Sequence, residues 1–294
     1  MGAEAADDLE TVRESLGARP SAPLRPYVER YSCYRLAGDA PGTHRGLPSP
    51  QLTLIFTLDE PLEIAAHPDP AQGPGTYDAL VGGLHTRPAL ITHPGRQSGV
   101  QIALNAVGAR ALLGLPAGEL ASRDLAAADV LGPAFVDDLR ARMLGADGWA
   151  GRLRIVEESL LSRLVAPEPA VRAEVLHVWR TLLERGGAAD VPDLARSVGW
   201  SERHLRARFR AEFGVGPKTF ARLVRFAGAR TAMPAGLRSG RTLAELAAGH
   251  GYYDQAHLAA EFRAFAGCPP TTWLAEEFRN LQADRADPGQ ESES

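Results

Sequence analysis

Three arginines, Arg203, Arg206 and Arg210, recur at three- and four-residue intervals around the apolar pair Leu205 and Phe209. On a helix this spacing buries the leucine and phenylalanine on one face and leaves the guanidinium groups off it. A guanidinium can pair bidentately with guanine in a major groove. The pattern returns 53 residues later, where Gln255, Ala256, Ala259 and Arg263 stand off the face of Leu258 and Phe262. Glutamine can pair bidentately with adenine, and alanine can touch a thymine methyl. Ser201 and Asp254 stand where the two helices need N-caps. Between the two patterns, PKTFARLVRFAGAR (217–230) places Lys218, Arg222 and Arg225 on one stripe suited to phosphates, with Phe220 and Leu223 on the inward side. A solvated helix face explains any single arginine equally well, and a helical bundle used for protein contact is the bland reading of the whole set.

The elements that must position these residues form an imperfect internal repeat. The first copy runs Leu194-Ala195, Gly199, Leu205, Phe209, Gly214, Pro217, and the second Leu246-Ala247, Gly251, Leu258, Phe262, Gly267, Pro270. The offset is 52 residues up to the glycine of the turn and 53 after it, so the second turn carries one added residue. Each copy reads as helix, tight turn, helix, and Thr242 with Glu245 opens the second copy with a capping box. Gly199 and Gly251 stand where the chain must turn sharply, a position that favours positive φ.

Upstream, 31–107 reads as short strands separated by Gly/Pro turns. These include LTLIFTL (52–58), YDALVGG (77–83), ALITH (89–93) and VQIALNA (100–106), in which Val100, Ile102 and Leu104 share one face. From Gly108 the period becomes helical, with helices at 135–144, 149–165 and 171–185. The expected fold class is α+β: a small cupin-like β-barrel with flanking helices, then an all-α domain with two helix-turn-helix units. The expected organisation is a disordered leader at 1–24, a barrel and helical segment at 25–166, a double helix-turn-helix domain at 171–280, and a disordered acidic tail at 281–294. The helix at 149–165 is a candidate dimer seam, with burial against its own barrel the alternative.

The 294-residue chain has a net charge of −4, yet residues 188–280 carry 13 basic and 9 acidic side chains. That block suits an anionic partner. There is no apolar run long enough to cross a membrane and no secretory signal at the N-terminus, so cytoplasm is the default location. Two cysteines, Cys33 and Cys268, cannot build a disulfide framework or a four-thiolate zinc site.

LARSVGWSERHLRARFRAEFGVGPKTFARLVRF followed by LAAGHGYYDQAHLAAEFRAFAGCPPTTWL resembles the DNA-binding domain of the AraC/XylS family of bacterial transcription regulators, over about residues 171–278. The resemblance implies seven helices, with recognition helices at about 201–213 and 254–265 entering successive major grooves ~34 Å apart. It places Ser201, Arg203, Arg206, Gln255 and Ala256 at or beside base-reading positions. Ala207 and Ala260 stand where family members commonly carry arginine. The strings HRGLPSPQLTLIF and GVQIALNAVGARALLGLPAGEL resemble sensor domains of such regulators. The implied partners are double-stranded promoter DNA, RNA polymerase, a small-molecule effector and a second copy of the chain, with no cofactor.

The remaining reactive residues support no catalytic centre. His44, His67, His85 and His93 lack the two-histidine spacing of a metal-binding cupin and read as surface or satisfied core residues. Cys33 reads as a small buried side chain. Arg45, Arg87 and Arg96 are candidates for holding an anionic effector, with solvated loops the alternative. The rival class is a cupin-type or alkyl-transfer enzyme fused to a DNA-binding domain, for which the sequence offers no metal triad or nucleophile elbow.

Overall fold

The computed structural model of the chain describes residues 12–164 and 171–282. Its ten strands are β1 (Val12–Ala18), β2 (Val28–Ala37), β3 (Gly42–Gly46), β4 (Leu52–Thr57), β5 (Leu62–Ala66), β6 (Gly75–Tyr77), β7 (Ala79–Gly82), β8 (Ala89–His93), β9 (Gln97–Leu104) and β10 (Asp124–Ala126). They form two antiparallel sheets, ordered β1-β2-β9-β4-β7-β10 and β3-β8-β5-β6. The sheets face each other without closing, so the expected barrel is an open one.

Alternation divides the larger sheet's two faces. Leu52, Leu54 and Phe56 of β4 and Val100, Ile102 and Leu104 of β9 are fully buried on one face. That face packs on helices α2 (Ala127–Leu131), α3 (Pro133–Leu144) and α4 (Gly148–Arg163), which follow the short turn α1 (Ala106–Gly108). Thr53, Ile55 and Gln101 point the other way, toward Leu62, Ile64, Ala89 and Ile91 of the smaller sheet. A cavity of about 430 Å³ lies between them.

The stretch expected to be a disordered leader holds β1, paired with β2 from Val12↔Ala37 to Ala18↔Tyr31. Arg13 fastens it with two 2.8 Å hydrogen bonds to Asp39. The strand lies at a sheet edge and is half-buried or exposed throughout, so it carries no apolar alternation to announce it. Residues 1–11, the boundary at 166–170 and most of the acidic tail lie outside the described residues.

The C-terminal region has seven helices among the described residues: α5 (Ala173–Glu184), α6 (Val191–Ser197), α7 (Glu202–Phe213), α8 (Pro217–Arg238), α9 (Leu243–Gly249), α10 (Gln255–Ala266) and α11 (Pro270–Gln282). Gly199 and Gly251 take φ of +69° and +73°, the left-handed conformation that turns α6 into α7 and α9 into α10. Helix α8 runs past the expected end at 230 to Arg238, with Pro234 inside it. One hydrophobic cluster is continuous from the sheets through α5, α6 and α7, while the second unit has its own, around Phe226, Phe262 and Trp273.

Candidate nucleic-acid interface

Each recognition helix is built from a cap, a buried apolar pair and an exposed face. For α7, the Ser201 hydroxyl accepts from the His204 N–H at 3.3 Å, and Leu205 and Phe209 are fully buried. Phe209 sits edge-on to Phe213 and Phe220, with ring centroids 4.5 and 5.7 Å away. Arg203, Arg206 and Arg210 are exposed, and so is Arg208, which the sequence reading did not single out. Arg206 pairs with Glu202 one turn back. For α10, the Asp254 carboxylate accepts from the His257 N–H at 2.7 Å, and Leu258 and Phe262 are fully buried. Gln255, Ala256 and Arg263 are exposed, with Ala259 half-buried. The caps therefore occupy the Ser201 and Asp254 side chains.

The stripe expected on α8 divides. Lys218 is exposed. Arg222 instead donates to Glu261 of α10, Nη2 to Oε2 at 2.8 Å and Nε to both oxygens at 3.1–3.2 Å. Its guanidinium lies 4.9 Å from the Phe265 ring centroid. Arg225 lies over the Tyr252 ring at 5.9 Å, and its Nε is buried with no hydrogen-bond partner. Arg222 thus commits its guanidinium to Glu261, whereas Arg225 is half-buried beside Tyr252 and makes no ion pair among the described residues. A helical wheel shows where a side chain leaves its own helix, and the second unit lies along that side of α8. Glu261 is 5% exposed and needs a cation beside it.

The sheet domain grips both units at equivalent corners. Arg110 donates to both Glu212 oxygens of α7 at 2.6 and 2.8 Å, and those hydrogen bonds raise its pKa. A Cβ on Gly118 would stand 2.6 Å from the Ala211 carbonyl oxygen and 3.1 Å from the Gly214 nitrogen, so glycine permits this approach. At the second unit, Arg45 donates to Glu276 of α11 at 2.8 and 3.2 Å and to the Ala266 carbonyl oxygen at 3.4 Å. A Cβ on Gly267 would lie 3.6 Å from Arg45 and 3.7 Å from Pro88. Gly214 and Gly267 are the same position of the repeat.

The three effector candidates separate. Arg45 lines the inter-sheet cavity but is held by Glu276. Arg96 is exposed and pairs with Glu60, outside the cavity. Arg87 lines a different cleft, shared with Arg263 of α10. The arginine that the sequence reading missed is Arg230, which reaches the cavity from α8. Burial, then the charge of Arg30, lowers its pKa. At the cavity's other polar feature, Asp124 meets His67 Nδ1 at 2.8 Å and His85 Nε2 at 3.1 Å. Burial pushes the Asp124 carboxyl up, but the two histidines outweigh it and hold the group below its ordinary range. His67 is thus a satisfied core residue. Burial raises the Cys33 thiol to about 11, as suits an inert packing role.

Two capped helix-turn-helix units with exposed arginines, joined to a sheet-rich domain, define a two-domain DNA-binding regulator. Comparison with protein families supports this class. The family described as "Helix-turn-helix domain" matches residues 194–276, and "Domain of unknown function (DUF6597)" matches residues 17–126. Among solved structures, ToxT from Vibrio cholerae at 1.65 Å resolution matches with a TM-score of 0.50 and 9% identity, over 83% of this chain and 97% of that one. A single-site variant of apo ToxT from Vibrio cholerae strain SCE256 gives the same values. At that identity the likeness is one of fold. No match is found among curated proteins. Residues 194–276 are thus a helix-turn-helix domain, the kind of domain that binds DNA, and the chain as a whole shares the two-domain fold of ToxT.

Proposed function

We propose that this chain regulates transcription by holding promoter DNA through α7 and α10, and that a small anionic effector in the inter-sheet cavity tunes that hold. On α7, Arg203 and Arg206 read base edges and Arg210 supports them. On α10, Gln255 and Ala256 read, with Arg263 beside them. Lys218 contacts phosphate, and Ser201 and Asp254 set the helix ends. The protein acts by binding, in the cytoplasm, where it would meet RNA polymerase at the promoter. Leu161, 38% exposed on α4, supports a second copy of the chain as a further partner.

The observation that carries the effector reading is Arg230. It belongs to the helix joining the two DNA-binding units, yet it lines a cavity between the sheets together with Arg30; neither has a salt bridge among the described residues, and the carboxylate of Glu277 acts on Arg230 less strongly than the like charge of Arg30 does. An anion there would neutralise two like charges and tie the cavity to α8. About 430 Å³ suits a small molecule.

The test is a pair of substitutions measured on a duplex selected from a random pool. Arg203→Ala should cost ~1–3 kcal/mol on the selected duplex and much less on random sequence. Equal losses on both would remove Arg203 from the reading role. Arg230→Gln should leave basal DNA affinity near wild type and abolish any shift produced by a panel of small carboxylates and phosphates. A shift that survives in Arg230→Gln contradicts the effector reading.

A further inference from the structure

The two units differ by one residue, and the structure locates it. In the first unit Trp200 follows Gly199 and lies edge-on to His204, with ring centroids 4.6 Å apart at 89°. In the second, Tyr252 follows Gly251 and takes the same place, 3% exposed and edge-on to His257 at 5.2 Å and 83°. The residue without a counterpart is Tyr253, immediately before the N-cap Asp254. It is 92% exposed, against 53% for the next large apolar side chain among the described residues, Leu144. Its backbone is tied down, since its N–H donates to His257 Nδ1 at 3.3 Å. Its ring and hydroxyl have no partner among the described residues. An aromatic ring held out in water from a fixed turn adds nothing to the core.

We propose that Tyr253 is a DNA-contacting residue peculiar to the second unit, its hydroxyl donating to a phosphate oxygen at the edge of the groove that α10 enters. The inference rests on the reading of α7 and α10 as the DNA-binding helices. Tyr253 precedes the helix, and chain at that point meets the sugar-phosphate backbone flanking the groove, where tyrosine is a recurrent neutral donor. The composition of α10 fits. The positions equivalent to Arg203 and Arg206 are Ala256 and Ala259, so this unit has fewer cations with which to hold the backbone.

A neutral phosphate contact has a signature that an arginine lacks, because it releases no counterion. Tyr253→Phe should weaken the full chain's binding to the selected duplex and to a random-sequence duplex alike, by about fivefold. The slope of log affinity against log salt should be unchanged. Tyr253→Ala should do the same, and both variants should keep the wild-type melting temperature because the ring is in solvent. Wild-type affinity for Tyr253→Phe, a loss confined to the selected duplex, or a changed salt slope would each overturn the phosphate contact. Arg203→Ala run alongside separates the two failures. If it loses affinity while Tyr253→Phe does not, only this inference fails. If neither variant changes binding, the reading of the interface fails with it.

Discussion

Arg222 shows what a single residue contributes here. Its spacing with Lys218 and Arg225 was legible and its partner was not, because Glu261 lies 39 residues away on another helix. Removing the guanidinium leaves a buried carboxylate unpaired, which is costlier than losing an exposed contact. Arg222→Ala should therefore destabilise the fold by about 2–3 kcal/mol, scaled down from a fully buried pair because Arg222 is partly exposed. The salt slope of DNA binding should stay as it is. Urea unfolding checks the first point, and a slope flattened by about one would restore Arg222 to the phosphates. Arg203 and Arg210, whose environment is solvent, stand where periodicity puts them. Helical spacing tells where a side chain departs from its own axis. It does not tell what a distant segment brings to meet it.

Among the elements, the repeat was the most legible part of the chain. Its caps, turns and buried pairs depend on local chemistry: Ser201, Asp254 and the Thr242–Glu245 capping box all form as read. Strand β1 was not legible, since an edge strand held by backbone hydrogen bonds and one ion pair needs no apolar alternation. Strand β3 carries a consequence for pH. Burial, and then the neighbouring His93, lowers the His44 pKa from 6.5 to about 4. The unfolded chain takes up this proton near pH 6.5 and the folded chain only near 4. Stability should therefore fall as pH drops through that window and then level off for this group. The effect is at most about 3 kcal/mol, reduced by solvent screening of the half-buried ring. His44→Gln should flatten the decline in urea midpoint between those two pH values, and an unchanged decline would remove His44 as its source. Asp124, whose pKa is likewise lowered, acts in the same direction. Its stabilisation is present above its unfolded pKa and is lost only at lower pH, so the two contributions occupy separate ranges.

At the scale of the molecule, the sheet domain and the helical domain share residues. Arg45 both lines the cavity and holds the second unit through Glu276, and Arg230 enters the cavity from the helix that joins the two units. Arg110 holds the first unit at the corner equivalent to the one near Arg45. None of this was visible in the sequence, because Arg110 and Glu212 are 102 residues apart and Arg45 and Glu276 are 231 apart. The class of fold was visible, because two helix-turn-helix patterns and a run of short alternating strands each declare themselves locally. Selection of duplexes from a random pool by the full chain tests most directly whether α7 and α10 read DNA together. The expected product is a bipartite site, with two short elements about 10–11 base pairs apart, one of which loses definition in Arg203→Ala. A pool that stays random, or one that yields a single element indifferent to Arg203→Ala, would contradict the reading of this chain as a two-helix DNA reader.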